Sequence, residues 1–180
     1  MKKLNTLEKF NDNDILREYT LSKIIRYNNR NKLQNESVAE HSFFVTLFCL
    51  KIIKNLNLTK DEINRILILS ALHDTCESET SDIPHNVKKE NPEINKFLEK
   101  MEQKYYMEYW KEYYPIIYES TELEHAILKL ADTYSVYQYC LNEKDVGNTS
   151  KDINEIFIDC EKRLNKWLDI VNKLLEKRPL

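Results

Sequence analysis

Four residues have types and spacing that could do chemistry together: His41, the adjacent pair His73-Asp74, and Asp132. They interrupt three stripes of apolar residues spaced three, four or seven apart, the pattern of one helix face. His41 lies with Val38, Phe44, Val45 and Phe48. His73 extends Ile63, Ile66 and Leu69/Ser70. Asp132 lies with Leu128, Val136 and Tyr139. An unpaired carboxylate or imidazole facing a core costs several kcal/mol, or shifts its pKa and goes neutral. One divalent cation shared by His41, His73, Asp74 and Asp132 removes all three penalties at once. Two nitrogens and two carboxylate oxygens form a harder donor set than a Cys-rich structural zinc site. They suit Mn, Fe, Co, Ni or Zn with positions open to water, the pattern of a catalytic centre. Taken singly, each residue is ordinarily a satisfied core histidine or a capping aspartate. The case rests on their joint occurrence with the adjacent His–Asp pair.

Helices must position these groups, and the chain has signals for them. A first helix is expected over 13–27, with Ile15, Leu16, Tyr19 and Ile25 on its apolar side, followed by a polar loop to residue 36. Ser37 with Glu40 forms a capping box opening the helix of His41, which runs to about residue 55. Thr59 with Glu62 opens a second over 60–74, ending in His73-Asp74. Periodicity is lost over 75–90, which reads as a loop with a short helical turn after Pro84. Asn91-Pro92 starts a long polar helix running into YYMEYWKEYYP. Thr121 with Glu124 opens the helix of Asp132, reaching about residue 142. EKDVGNTS reads as a linker before an amphipathic helix over about 150–177.

One glycine and four prolines in 180 residues leave few sites for tight turns, while 42% hydrophobic residues suffice for a core. The expected fold is all-α: one helical-bundle domain spanning 1–180, with no internal repeat. A net charge of −3 argues against a broad nucleic-acid surface and leaves room for a local basic pocket for one phosphate. No apolar run approaches the length of a membrane span, and MKKLNTLEKFNDND lacks a signal-peptide core. A soluble cytoplasmic protein is expected. Cys49, Cys76, Cys140 and Cys160 form no CxxC pair, so reduced thiols are expected and a zinc ribbon is excluded.

The order His41 … His73-Asp74 … Asp132 resembles the H…HD…D signature of the HD-domain metal-dependent phosphohydrolases. Arg26-Tyr27, SVAEHS (37–42), HDTCES (73–78), SDIPHNVKK (81–89) and KLADTY (129–134) narrow the resemblance to the YfbR-like 5′-deoxynucleotidase branch, over roughly residues 15–140. It implies an HD-type helical bundle, commonly a homodimer, that hydrolyses deoxyribonucleoside 5′-monophosphates to deoxynucleoside and phosphate. It implies His41, His73, Asp74 and Asp132 as ligands of a divalent metal ion (Co, Mn, Zn, Fe, Ni or Mg). Asp74 and Glu77 would be catalytic, Glu77 positioning or deprotonating the attacking water. Asp82 would bind the deoxyribose 3′-hydroxyl and Arg26 the 5′-phosphate, for which a guanidinium offers a bidentate fork. Phosphate-ester hydrolysis needs an acidified water, a Lewis acid and positive charge near the phosphoryl oxygens, which these residue types supply.

The sequence departs from the family at Tyr27, often Trp, which leaves sugar and base preference open. It departs also at His85-Asn86, often Thr-Pro. His125, seven residues before Asp132, shares its face and is either a supporting residue of the site or an ordinary helix histidine. Lys88 and Lys89 read as a solvated pair, Cys76 as a packed residue, and the aromatic run 105–118 as packing or an oligomer contact. Two rivals stand beside the nucleotidase. One is a small HD-domain dNTP triphosphohydrolase attacking the α-phosphorus with the same metal set. The other is a non-catalytic helical scaffold. A (p)ppGpp hydrolase fits less well, because Ser78 follows Glu77 where that branch carries a second acid.

Overall fold

The computed structural model of the chain describes residues 12–178, and among these it is helical with no strand. The helices are α1 (Asp12–Tyr19), α2 (Val38–Ile53), α3 (Lys60–Leu72), α4 (Glu77–Thr80), α5 (His85–Glu90), α6 (Pro92–Tyr109), α7 (Tyr114–Tyr118), α8 (Glu122–Asp145) and α9 (Lys151–Glu176). The three anticipated capping boxes all form. Ser37, Thr59 and Thr121 each accept from the backbone N–H three residues on, while Glu40, Glu62 and Glu124 reach back. They fix the starts of α2, α3 and α8, the three helices that bring up the His and Asp residues.

The core lies where these helices meet. α8 packs against α9, α2 and α3. Val45, Cys49 and Ile53 of α2, Ile66 and Leu69 of α3, and Ala126, Ile127, Leu128 and Ala131 of α8 form one buried cluster closed by Val171 of α9. At about 25 cal/mol per Å² of apolar surface, such helix faces hold the bundle together. A second cluster packs Tyr105 and Tyr106 of α6 against Leu72 of α3. Within α2 the buried stripe is Val38, His41, Val45, Cys49 and Ile53, whereas Phe44 is turned largely outward.

The first helix is shorter than the expected 13–27. It ends at Tyr19 and passes through a 3-10 turn over Thr20–Ser22, because two hydroxyls take the terminal carbonyls. Thr20 Oγ1 donates to Arg17 O at 2.5 Å and Ser22 Oγ to Tyr19 O at 2.7 Å. Leu16 and Tyr19 are exposed, Leu21 is buried, and the Ile15 side chain lies outside the described residues. Ile25 is not helical; it forms an antiparallel bridge with Ser37. Residues 75–90 hold one more helix than expected, the single turn α4.

The end of α8 differs from expectation for a physical reason. Its last turn includes Glu143, Lys144 and Asp145, which the sequence places in a linker. Glu143 is fully buried and accepts from Leu33 N at 2.8 Å, Gln34 N at 2.6 Å, Asn148 Nδ2 at 2.6 Å and Tyr139 Oη at 3.2 Å. Four donors satisfy the carboxylate, hold it below the usual carboxylate range despite its burial, and extend the helix. Gly147, at φ +92°, then turns the chain out in a left-handed conformation.

Candidate active site

Three helix ends or faces converge on one point. His41 projects from the first turns of α2, Asp132 from the middle of α8, and His73 caps the C-terminus of α3 with Asp74 in the turn beyond it. Helix α3 stops at Leu72, two residues before the expected end, because its last carbonyls are taken from outside. Thr75 Oγ1 donates to Leu72 O at 2.8 Å. The buried Tyr106 hydroxyl of α6 donates to the same oxygen at 2.5 Å, with the His73 carbonyl 3.2 Å away. Part of the aromatic run thus clamps the turn carrying His73 and Asp74.

Ligand atoms of His41, His73 and Asp132 lie within 4.8 Å of one another. Asp74 joins them. Its Oδ2 lies 3.1 Å from His73 Nε2 and 3.5 Å from His41 Nε2, while Asp132 Oδ1 is 3.2 Å from His41 Nε2. Both Nε2 atoms are buried without a hydrogen-bond partner. Both Nδ1 atoms are engaged: His41 Nδ1 is 3.1 Å from Ser135 Oγ, and His73 Nδ1 donates to Ser70 O at 2.8 Å. A carbonyl accepts only, so the His73 proton sits on Nδ1 and its Nε2 lone pair points into the cluster. Two buried, unpartnered imidazole nitrogens facing two carboxylates fit a divalent cation, by donor chemistry and by the orphaned atoms.

The electrostatics agree. Burial drives His41 down to about 4, so its imidazole is neutral near pH 7. Burial alone would raise Asp74 and Asp132, yet His73 next to Asp74 and His41 next to Asp132 hold both well below the carboxylate range. Burial would lower His73, and Asp74 beside it overrides that and raises it.

Ser135 is 3% exposed and orients His41 from α8. Sequence spacing had no means of pairing it with a histidine 94 residues away. Ser135→Ala should weaken metal binding about 10- to 100-fold, read by competition with a chelating dye, with the helical circular dichroism unchanged.

A cleft of about 400 Å³ opens on the cluster. Arg26, Tyr27, Glu77 and Asp82 all line it beside Asp74 and Asp132; His41 is fully buried behind those two, and His73 lines a smaller adjoining cavity with Asp74 and Glu77. Tyr27 has φ +59°, uncommon for a non-glycine residue, and its ring stacks on Tyr139 at 4.7 Å. Arg26 donates from Nη1 to Glu36 Oε2 at 2.8 Å. Burial works against the Arg26 charge, and Tyr27, Glu36, Asp74 and Asp82 more than offset it.

Glu77 opens α4 and is 8% exposed, with Oε2 buried and unpartnered. Burial first, then Asp74 and Asp82, push its carboxyl up to about 9, against the pull of Arg26 and Lys88. A smaller cavity of about 70 Å³ joins Glu77 to Lys88 and to Glu102 of α6, whose carboxyl burial also raises. Lys88 lines both spaces, which the reading of it as a solvated lysine did not anticipate; the Lys89 and His85 side chains lie outside the described residues. Cys76 packs in the aromatic cluster as expected. His125 does not support the site: it is exposed, its ring 6.0 Å from Trp167 of α9. Helix α9, which carried no chemical signal in the sequence, supplies Glu155, Asp159 and Arg163 to the cleft wall.

Comparison with known proteins joins this geometry to a family. Residues 18–172 match the family described as 5′-deoxynucleotidase YfbR-like. A 5′-deoxynucleotidase of Photorhabdus temperata is 35% identical over 130 residues, covering 65% of this chain and 66% of that protein, just under two thirds of its length. A 5′-deoxynucleotidase of Yersinia pestis (strain Pestoides F) is 33% identical over 151 residues, covering 77% of this chain and 74% of the other. The structure of the cyanophage S-2L HD phosphohydrolase, bound to dA and one catalytic Zn2+ ion, superposes with a TM-score of 0.62 at 14% identity, covering 91% of this chain and 96% of that one. That likeness shows the fold. Among the described residues no helix is long and apolar enough to cross a membrane. With the match spanning most of its length, the chain belongs to the 5′-deoxynucleotidase YfbR-like family.

Proposed function

We propose that this protein hydrolyses deoxyribonucleoside 5′-monophosphates to deoxynucleoside and phosphate, with His41, His73, Asp74 and Asp132 holding a divalent cation. The observation that carries the proposal is the pair of orphaned, buried Nε2 atoms facing two carboxylates at the inner end of the cleft. When bound, the cation supplies Lewis acidity and lowers the pKa of a coordinated water. Arg26 takes the phosphate through its remaining guanidinium N–H groups, oriented at the cleft wall by its ion pair with Glu36. Glu77 accepts the proton of the attacking water. The Asp74 charge that helps hold its proton would be offset by a bound cation, which favours the ionised form this task needs, and its unpartnered Oε2 is free to take the hydrogen bond. Tyr27 and Asp82 flank the sugar, with Asp82 accepting from the 3′-hydroxyl.

The cleft charges favour a monophosphate over a triphosphate. Arg30 is paired with Asp152 at 3.4 Å and Arg163 with Asp159 at 3.5 Å, so two cleft arginines are partly neutralised before substrate enters. A triphosphate would need them free for its β- and γ-phosphates. We read the whole chain as one HD-type domain, acting in the cytoplasm as a homodimer on a small nucleotide rather than a polymer.

Product analysis tests the proposal. The protein is incubated with dNMPs, NMPs and dNTPs in the presence of Mn, Co or Mg. The expected result is inorganic phosphate and deoxynucleoside from dNMPs. Inorganic triphosphate from dNTPs would establish the triphosphohydrolase instead, and a metal-loaded protein inert to every nucleotide would leave only a scaffold.

A further inference from the structure

Arg26 and Glu36 are paired twice. The backbone N–H of Arg26 donates to Glu36 O at 2.9 Å, and the guanidinium Nη1 donates to Glu36 Oε2 at 2.8 Å. The Ile25–Ser37 bridge and the bond from Val38 N to Ile24 O at 2.9 Å continue the pairing into the start of α2. Glu36 immediately precedes Ser37, the residue that caps α2, and His41 follows within the first two turns of that helix. Both side chains of the pair are nearly buried, 11% and 12% exposed, so solvent screens the ion pair little. Burial raises the Glu36 carboxyl and Arg26 counters it, as expected of a carboxylate kept out of water by one partner.

We propose that Glu36 is a positioning residue for phosphate recognition: its carboxylate fixes the Arg26 guanidinium at a set distance and angle from the helix that carries His41. The inference rests on the reading of Arg26 as the phosphate-binding residue. An arginine has four rotatable side-chain bonds, and losing its anchor lets the fork sample positions in which the phosphate cannot meet both it and the metal cluster. The anchor costs Arg26 one N–H donor and leaves the others for phosphate. Glu36 does not line the cleft, so its effect passes through Arg26.

The test compares Glu36→Ala, Glu36→Gln, Arg26→Ala and the double variant Glu36→Ala/Arg26→Ala in the metal-loaded enzyme. It measures kcat and KM with a dNMP, inhibition by inorganic phosphate, metal content and thermal midpoint. Glu36→Ala is expected to lower kcat/KM about 10- to 100-fold and weaken phosphate inhibition by a similar factor, with metal content unchanged. Glu36→Gln keeps an acceptor at the same place and should stay within about threefold of wild type. In the Arg26→Ala background, Glu36→Ala should have no further effect. Equal losses from Glu36→Ala with and without Arg26 would overturn the positioning role while leaving Arg26 as the phosphate residue. If Arg26→Ala leaves kcat/KM and phosphate inhibition at wild-type values, the phosphate reading fails and the inference fails with it. Should Glu36→Ala not fold, Glu36→Gln still decides: a loss as large as that of Arg26→Ala would show that charge, not orientation, is at work.

Discussion

Asp74→Ala should yield a folded protein that carries no metal and turns over substrate on the order of a thousandfold more slowly or worse. Asp74 Oδ2 is within 3.5 Å of both Nε2 atoms, so its loss removes the oxygen shared by the two imidazoles. It also releases His73 from the neighbour that raises its proton affinity, but a neutral pair of imidazoles with one remaining carboxylate is a poor trap for a dication. Plasma mass spectrometry of the purified variant reads the metal. A second readout is thermal. A cation at a hundred times its dissociation constant stabilises the native state by about 2.7 kcal/mol, so a chelator should lower the wild-type midpoint and leave that of the variant unmoved. Full metal occupancy in Asp74→Ala would exclude Asp74 from the ligand set.

Glu77→Gln should separate chemistry from metal binding. Turnover is expected to fall by about 10² to 10⁴, the range for loss of a general base, while bound metal stays at the wild-type level. The same variant carries a pH signature in the metal-free protein. The folded-state carboxyl of Glu77 is raised to about 9, against an ordinary value of 4.5. Below the ordinary value, both folded and unfolded chains hold the proton and the group has no effect. Above it the unfolded chain releases the proton and the folded one keeps it, so stability falls as pH rises toward 9, by up to about 1.4 kcal/mol per pH unit from this group. Glutamine has no proton to retain. Denaturant unfolding of the two metal-free proteins should therefore converge near pH 4 and diverge toward pH 8, with Glu77→Gln the more stable. Parallel stability curves across that range would show that Glu77 ionises normally in the folded chain.

How much of this was legible in the sequence depended on whether the signal was local. The capping boxes at Ser37, Thr59 and Thr121 are three-residue patterns, and they placed three helix starts correctly. His41, His73 and Asp132 could be seen because polar residues interrupted apolar stripes, and the structure brings them and Asp74 together. Helix ends were less legible. The stop of α3 at Leu72 depends on the Tyr106 hydroxyl, 34 residues on, and the extra turn of α8 on Glu143 meeting Leu33 and Gln34. Such partners are set by packing, and no window of sequence contains both. Glu36 and Ser135 escaped for the same reason: an acid before a helix cap and a serine inside a helix are unremarkable until the fold shows what each one touches.

The grip of Glu143 on the strap between Tyr27 and α2 has a consequence for how freely that strap can vary. Both amides it holds belong to the main chain, which any residue but proline offers at positions 33 and 34. Leu33 itself is 64% exposed. The lettering at positions 33 and 34 can therefore drift while the course of the main chain there stays held by a distant carboxylate, as Asp152 holds the amide of Asn31 beside it.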